Sequence, residues 1–210
     1  MVGKGNAYDK FHLAQPYLER LRSGEASEDV LDGKVRRVIR LMMRTCMSGN
    51  RGWGRFTCPE HSATARRIGA EGIVLLKNEE NLLPLHHRRI LVVGENAVRS
   101  MTAGGGSSSL KTKYEVNPLD GLRAALSDAE IVYVPGYSSS ASVDEKDALA
   151  AATKADVVVF FGGLNKDKYN DAESYDREDW NLPYGQDSLI LKLAAVNPSL
   201  VVVNISGNPV

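Results

Sequence analysis

The sequence predicts an α/β fold: a three-layer α/β sandwich with a mainly parallel sheet, preceded by a short helical segment. Three observations carry that reading. The runs Ile90 to Val93, Val157 to Phe161 and Leu200 to Val203 are continuously apolar, as strands must be when helices cover both faces of their sheet. Segments with a helical period alternate with these runs along the chain. A break rich in turn residues, Ser48-Gly49-Asn50-Arg51-Gly52-Trp53-Gly54, separates this alternating part from an all-helical start.

Taken in order, Pro16 suits the opening of a first helix, Tyr17 to Arg22 continue it, and Ser23-Gly24 stop it. Ser27 offers an N-cap to a second helix, with Glu28 and Asp29 in the first turn, where the helix dipole favours acids. Val35, Val38, Ile39 and Met42 share one face of it, while Lys34, Arg36, Arg37 and Arg40 point mainly elsewhere. The expected organisation is a helical piece over residues 1–48, a linker over 49–59 and a sandwich domain over 60–210. His61 to Ala70 is helical and leads through Glu71-Gly72 into the strand-sized apolar run Ile73 to Leu76. Strands over Ile90 to Val93, Ile131 to Val134, Val157 to Phe161 and Leu200 to Ile205 then alternate with helices over Pro118 to Leu126, Val143 to Lys154 and Gly185 to Ala195. The last strand is followed by Asn208-Pro209-Val210, where a crossover helix is due, so the expectation is a slice of a longer protein with an incomplete sandwich.

Composition excludes several classes of function. With 210 residues, 43% of them hydrophobic, the chain can bury a sizeable core in one or two domains. Lysine plus arginine and aspartate plus glutamate both total 26, so no basic excess points to nucleic acid. No apolar run approaches the roughly 20 residues of a membrane helix, and Met1 to Asn6 shows no apolar signal core. Neither nucleic acid nor membrane is an expected partner, and localisation is left open. Cys46 and Cys58 could pair in an oxidising compartment or be two free thiols. The histidines, His12, His61, His86 and His87, lack metal-site spacing, and no serine lies in a nucleophile elbow. No metal and no cofactor are expected, and His86-His87 beside Arg88-Arg89 reads as a solvated turn.

The chemistry concentrates in Asn170-Asp171-Ala172-Glu173-Ser174-Tyr175-Asp176-Arg177. This run follows the strand ending at Phe161 and its Gly162-Gly163 turn, so it lies at the carboxyl edge of the sheet, where open α/β folds bind ligands. A carboxylate crowded there by Asp167, Asp171, Asp176, Glu178 and Asp179 is expected to have a raised pKa and to stay protonated for acid work. The plain alternative is a solvated acidic loop. A second segment, Ala103-Gly104-Gly105-Gly106-Ser107-Ser108-Ser109, has neither the Gly-Lys-Ser/Thr ending nor the G-x-G-x-x-G turn of a phosphate loop. It is either a flexible connector or a loop whose small residues let backbone and hydroxyls approach a polar ligand.

Several segments, in order, resemble glycoside hydrolase family 3. Glu60-His61 through Ala65-Arg66, Ala70 to Glu79 and Leu82-Leu83-Pro84-Leu85 are similar to the opening of that family's second domain. Gly104 to Ser108 followed by Pro118-Leu119-Asp120-Gly121-Leu122 resembles its Gly-rich loop and next helix. Glu173 to Arg177, Leu182-Pro183 and Gln186 to Ile190 resemble its Glu-Gly-x-Asp-Arg loop and the helix after it, and Val201 to Val210 resembles the following strand. Ser27-Glu28, Leu31-Asp32 and Val35 to Leu41 resemble the last helices of the family's barrel domain.

The resemblance implies a portion of a retaining β-glycosidase, β-glucosidase-like, acting on terminal β-linked sugars of oligosaccharides or glycosides. It assigns the acid/base carboxylate to Glu173 and the aspartate nucleophile to the barrel. Asp9, Asp29 and Asp32 do not lie in that nucleophile's Ser-Asp-Trp-like context, so this chain is expected to carry half of a catalytic pair and to be inactive alone. The branch that cleaves N-acetylglucosaminides resembles it less well. Ser107 and Ser108 are candidate substrate-binding residues, since small hydroxyls can donate to sugar hydroxyls. Ser174 stands where the family usually has glycine. The missing barrel domain is an expected partner, and the apolar faces of the N-terminal helices would otherwise pack on the sandwich, pack on a second copy as a homo-oligomer, or be mobile. The competing reading is a non-catalytic α/β domain that binds sugar or a protein partner.

Overall fold

The computed structural model describes residues 11–47, 49, 54–86, 88–102 and 104–210. The side chains of Cys46 and Met47 also lie outside the described residues, and with them any pairing of Cys46; so do Met1 to Asn6, Asp9, His87, Ala103 and residues 50–53 of the linker. The chain divides after Ser62 into two compact units.

The first unit contains α1 (Gln15–Arg22) and α2 (Glu28–Met42), and the latter passes into a turn of π-helix over Met43–Met47. Pro16 sits in the first turn of α1, and Gly24 just beyond its end takes a φ of 79°. The N-cap of α2 forms as its sequence predicts: the Ser27 hydroxyl accepts the Asp29 N–H at 3.1 Å. Neither helix buries a residue. Leu13, Tyr17, Leu31, Val35, Val38 and Ile39 instead line an open apolar groove of about 230 Å³. Cys58 is buried and carries no disulfide to any described residue.

A third helix, α3 (Pro59–Glu71), precedes the sandwich along the chain. There β1 (Arg89–Val93), α4 (Pro118–Ala125), β2 (Glu130–Val134), α5 (Lys146–Ala152), β3 (Val157–Gly163), α6 (Gln186–Val196) and β4 (Leu200–Ile205) follow in order. All four strands pair in parallel in the order β2-β1-β3-β4. Register is set by the opposed pairs Leu91 with Val132, Leu91 with Val158, and Phe160 with Val202.

Period-two alternation of side chains divides the core into two layers. Ile90, Val92, Val157, Val159 and Phe161 pack with Leu119 of α4 on one face. Leu91, Val93, Val158 and Phe160 pack with Ala148 and Ala152 of α5 and Leu189 and Leu193 of α6 on the other. Right-handed crossovers require this arrangement: β1 to β2 and β3 to β4 advance in opposite directions, so α4 and α6 fall on opposite faces. The fold is therefore the three-layer α/β sandwich that the apolar runs predict.

Two local expectations need correction. The helix expected over Val143 to Lys154 is shorter, Lys146–Ala152, and just before its start the Asp144 carboxylate accepts the Lys146 N–H at 2.9 Å in a local turn. Ile73, Val74, Leu75 and Leu76 form no strand and are exposed. Apolar content suits a segment for a sheet, but a ladder needs the N–H and C=O groups of a neighbour. Among the described residues nothing pairs with this run.

Candidate active site at the carboxyl ends of β1 and β3

The strand order creates a switch point. From β1 the chain moves to one side and from β3 to the other, so the segments leaving these neighbouring strands part and enclose a crevice. The Gly-rich loop lies on the segment after β1, and the acidic loop follows β3.

The two loops meet at Glu173. Its backbone N–H donates to the Gly105 carbonyl at 2.7 Å, and its Oε2 accepts the Ser107 N–H at 2.5 Å. Gly106 lies between these contacts at a φ of 142°, a region that favours glycine. A Cβ built on it would lie 2.6 Å from the Glu173 Cβ, so no larger residue fits without moving the carboxylate. The Gly-rich segment is therefore a cradle for Glu173 and not a simple connector. Ser108 is exposed, and its hydroxyl donates to the Gly104 carbonyl at 3.0 Å. That hydrogen is already committed, which leaves the Ser108 oxygen as an acceptor.

Around Glu173 opens a cleft of about 420 Å³ lined by Gly104, Lys166, Asn170, Asp171, Ala172, Tyr175, Asp176, Arg177 and Asn208. Its polar lining is braced from below. Asp171 accepts Lys166 Nζ at 2.6 Å, Asn208 Nδ2 at 2.9 Å and the Gly207 N–H at 3.2 Å, tying the acidic loop to the segment after β4. The Arg177 guanidinium donates to the Pro209 carbonyl at 2.7 Å and to the Trp180 carbonyl. Tyr169 and Tyr175 meet edge to face at 5.3 Å, with Lys168 Nζ 4.6 Å from each ring centre.

A second network anchors the start of the acidic loop. Arg99, after β1, reaches Asp167 at 2.6 Å, Ser139 at 2.7 Å and Glu95 at 2.9 Å. Tyr184 donates to Asp167 at 3.0 Å and accepts Asn170 Nδ2 at 2.9 Å. Sequence reasoning misses Arg99 and Tyr184. The only local hint is the i,i+4 spacing of Glu95 and Arg99.

These pairings reverse the expected electrostatics of Glu173. Its carboxyl is held below its ordinary value, not above it, first by the Ser107 hydroxyl and then by the Ser107 N–H. Three of the five neighbouring acids are engaged elsewhere, which weakens the like-charge effect on Glu173. Asp167 faces Arg99, Asp171 faces Lys166, and Asp179 accepts from Asn181. Ser174 adopts a φ of 71°, a left-handed conformation that a glycine would take without strain.

Among the described residues there is no cluster of three side chains able to hold a metal, and no helix long and apolar enough to cross a membrane.

The chain as a whole is similar to known proteins. Over 225 aligned residues, covering 97% of this chain, it is 41% identical to beta-glucosidase BoGH3A of Bacteroides ovatus. It is 31% identical over 92% of its length to the thermostable beta-glucosidase B of Acetivibrio thermocellus. The crystal structure of a GH3 beta-glucosidase from Bifidobacterium adolescentis superposes with a TM-score of 0.77 over 93% of the chain at 28% identity. The chain spans 30%, 26% and 29% of the lengths of these three proteins. The family model for the glycosyl hydrolase family 3 C-terminal domain matches residues 73–210. With both the switch-point cleft and this match in place, the chain belongs to glycosyl hydrolase family 3, whose C-terminal domain it carries.

Proposed function

We propose that this chain supplies the acid/base carboxylate of a retaining, β-glucosidase-like hydrolase, and that Glu173 is that carboxylate. The observation that carries this reading is the seat of Glu173. It is the carboxylate that the Gly-rich loop grips by both backbone and side chain, at the edge of a polar cleft at the switch point. Evolutionary kinship to proteins named beta-glucosidases supports it and counts against a non-catalytic sugar-binding or protein-interaction domain.

The reaction needs a second carboxylate about 5–5.5 Å from Glu173, contributed by a preceding barrel domain. In the first step Glu173 gives its proton to the glycosidic oxygen while the nucleophile attacks the anomeric carbon, and the aglycone leaves as an alcohol. In the second step Glu173, now ionised, takes a proton from water, whose oxygen displaces the nucleophile and releases the sugar. The Ser107 contact favours the ionised form and so suits the second step. The first step requires a proton on Glu173, which the negative charge of the nucleophile and the exclusion of water by bound sugar would both promote. The substrate is a β-linked glycoside or oligosaccharide. Ser107 and the acceptor oxygen of Ser108 are within the loop that would border it.

The test is Glu173→Gln in the complete enzyme. Turnover of glycosides with poor leaving groups should fall by about 10²–10⁴-fold, whereas glycosylation from activated aryl glycosides, which needs little protonation, should be spared. Azide should then rescue the second step and yield a β-glycosyl azide. If Asp176→Asn shows this pattern and Glu173→Gln does not, the assignment moves to Asp176.

A further inference from the structure

The loop that grips Glu173 is itself clasped at its stem. Glu115 lies on the returning side of that loop, shortly before α4, and its carboxylate gathers three donors from the outgoing side. Oε1 accepts the Met101 N–H at 2.7 Å, while Oε2 accepts the Thr102 hydroxyl at 2.7 Å and the Ser100 hydroxyl. The contacts within the tip are neutral and longer: Ser108 hydroxyl to the Gly104 carbonyl at 3.0 Å, Ser109 N–H to the Gly106 carbonyl at 3.1 Å, and Gly106 N–H to the Ser109 hydroxyl at 3.3 Å. Hydrogen bonds to a charged acceptor are roughly twice as strong as neutral ones, so among the contacts internal to the loop the Glu115 clasp does most to set its path. Burial raises the Glu115 carboxyl, but the donors from Ser100, Thr102 and Met101 outweigh it and hold the group below its ordinary value. It therefore remains an ionised clasp at working pH.

We propose that Glu115 is a positioning residue for Glu173, acting through the Gly-rich loop by fixing where the Gly105 carbonyl and the Ser107 N–H meet it. The proposal rests on the reading of Glu173 as acid/base. Without the clasp, the tip drifts, the Ser107 contact loosens and the proton is delivered from a poorer position. The charged and titratable groups that face Glu173 across the cleft are Lys166, Asp171, Tyr175, Asp176 and Arg177. Lys111 and Lys113 lie exposed on the clasped loop itself. The change Glu115→Gln alters none of these, and the loss of its own negative charge would lower Glu173, so an upward shift in the titration of Glu173 reports the loop.

The experiment compares Glu115→Gln, Thr102→Val and Thr102→Ser with wild type in the complete enzyme, using aryl β-glucosides that span leaving-group basicity. Glu173→Gln is measured in parallel. For Glu115→Gln and Thr102→Val, kcat/KM on poor leaving groups should fall about tenfold, a fraction of what a general acid contributes. Activated leaving groups should be nearly unaffected. The basic limb of kcat/KM should move to higher pH, because a carboxylate that loses a donor binds its proton more tightly. Thr102→Ser keeps the hydroxyl and should behave as wild type. Loss that is equal for all leaving groups, with an unmoved basic limb, would make Glu115 merely structural and overturn the proposal. If Glu115→Gln does not fold, the threonine pair decides: a Thr102→Val enzyme indistinguishable from wild type overturns it. A Glu173→Gln enzyme without leaving-group dependence would instead show that the acid/base reading is at fault. Normal dependence in Glu173→Gln with none in the clasp variants would sink the clasp alone.

Discussion

Gly106 and Glu173 approach so closely that the absent side chain of one makes room for the carboxylate of the other. A Cβ on Gly106 would meet the Glu173 Cβ at 2.6 Å and its Oε2 at 2.7 Å. Gly106→Ala should therefore displace the carboxylate in the complete enzyme. Misplacing a reacting group by about 1 Å can cost about 10²-fold, and a loss of that order is expected on glycosides with poor leaving groups. Steady-state kinetics would show it, and wild-type turnover would mean that Glu173 need not hold this position.

The titration of Glu173 is open to direct measurement. In this chain its carboxyl should titrate below the ordinary glutamate value, and Ser107→Ala should move it upward by removing the hydroxyl. NMR of the side-chain carboxyl against pH would follow both. Because the folded value is depressed, the linked stability is present above the unfolded value and is lost as pH falls through the folded one. A folded value above that of an unstructured glutamate would restore the like-charge picture.

Ser174 carries local strain beside the proposed acid/base. Its φ of 71° costs an L-residue about 1–2 kcal/mol relative to a right-handed conformation, and glycine avoids that cost. Ser174→Gly should keep the loop's path and raise stability by about 1 kcal/mol, less what the extra freedom of glycine in the unfolded chain takes back. Denaturant unfolding would read the difference, and a clear loss of stability would show that the serine side chain holds the loop.

The 210-residue chain alone should not turn over an aryl β-glucoside. A retaining hydrolase without its nucleophile lacks the covalent step that divides the displacement into two easier halves. Turnover near a typical enzyme median of about 10 s⁻¹ would mean that the second carboxylate lies within this chain.

The strands and most helices were legible in the sequence because their signals are local. Val157 to Phe161 has no polar residue to place in water, and all of β3 is buried. Ser27 caps α2 through its own side chain, within two residues of where it stands. The ordered motifs around Gly104 to Ser108 and Glu173 to Arg177 were equally legible as a family resemblance. Ile73 to Leu76 marks where local signals end: it is apolar enough for a strand, yet strand formation depends on a partner that no local pattern specifies.

What only the tertiary structure decided is who meets whom. Ser107 and Glu173 are 66 residues apart, and they touch because the order β2-β1-β3-β4 sets the ends of β1 and β3 side by side. The same cause reverses the electrostatics. The sequence counts the acids near Glu173, but a pKa depends on which groups lie within a few ångströms. Arg99, Lys166 and Asn181 take up the carboxylates of Asp167, Asp171 and Asp179, while Ser107 takes Glu173. Composition sets how much charge a loop carries, and long-range packing sets what that charge faces.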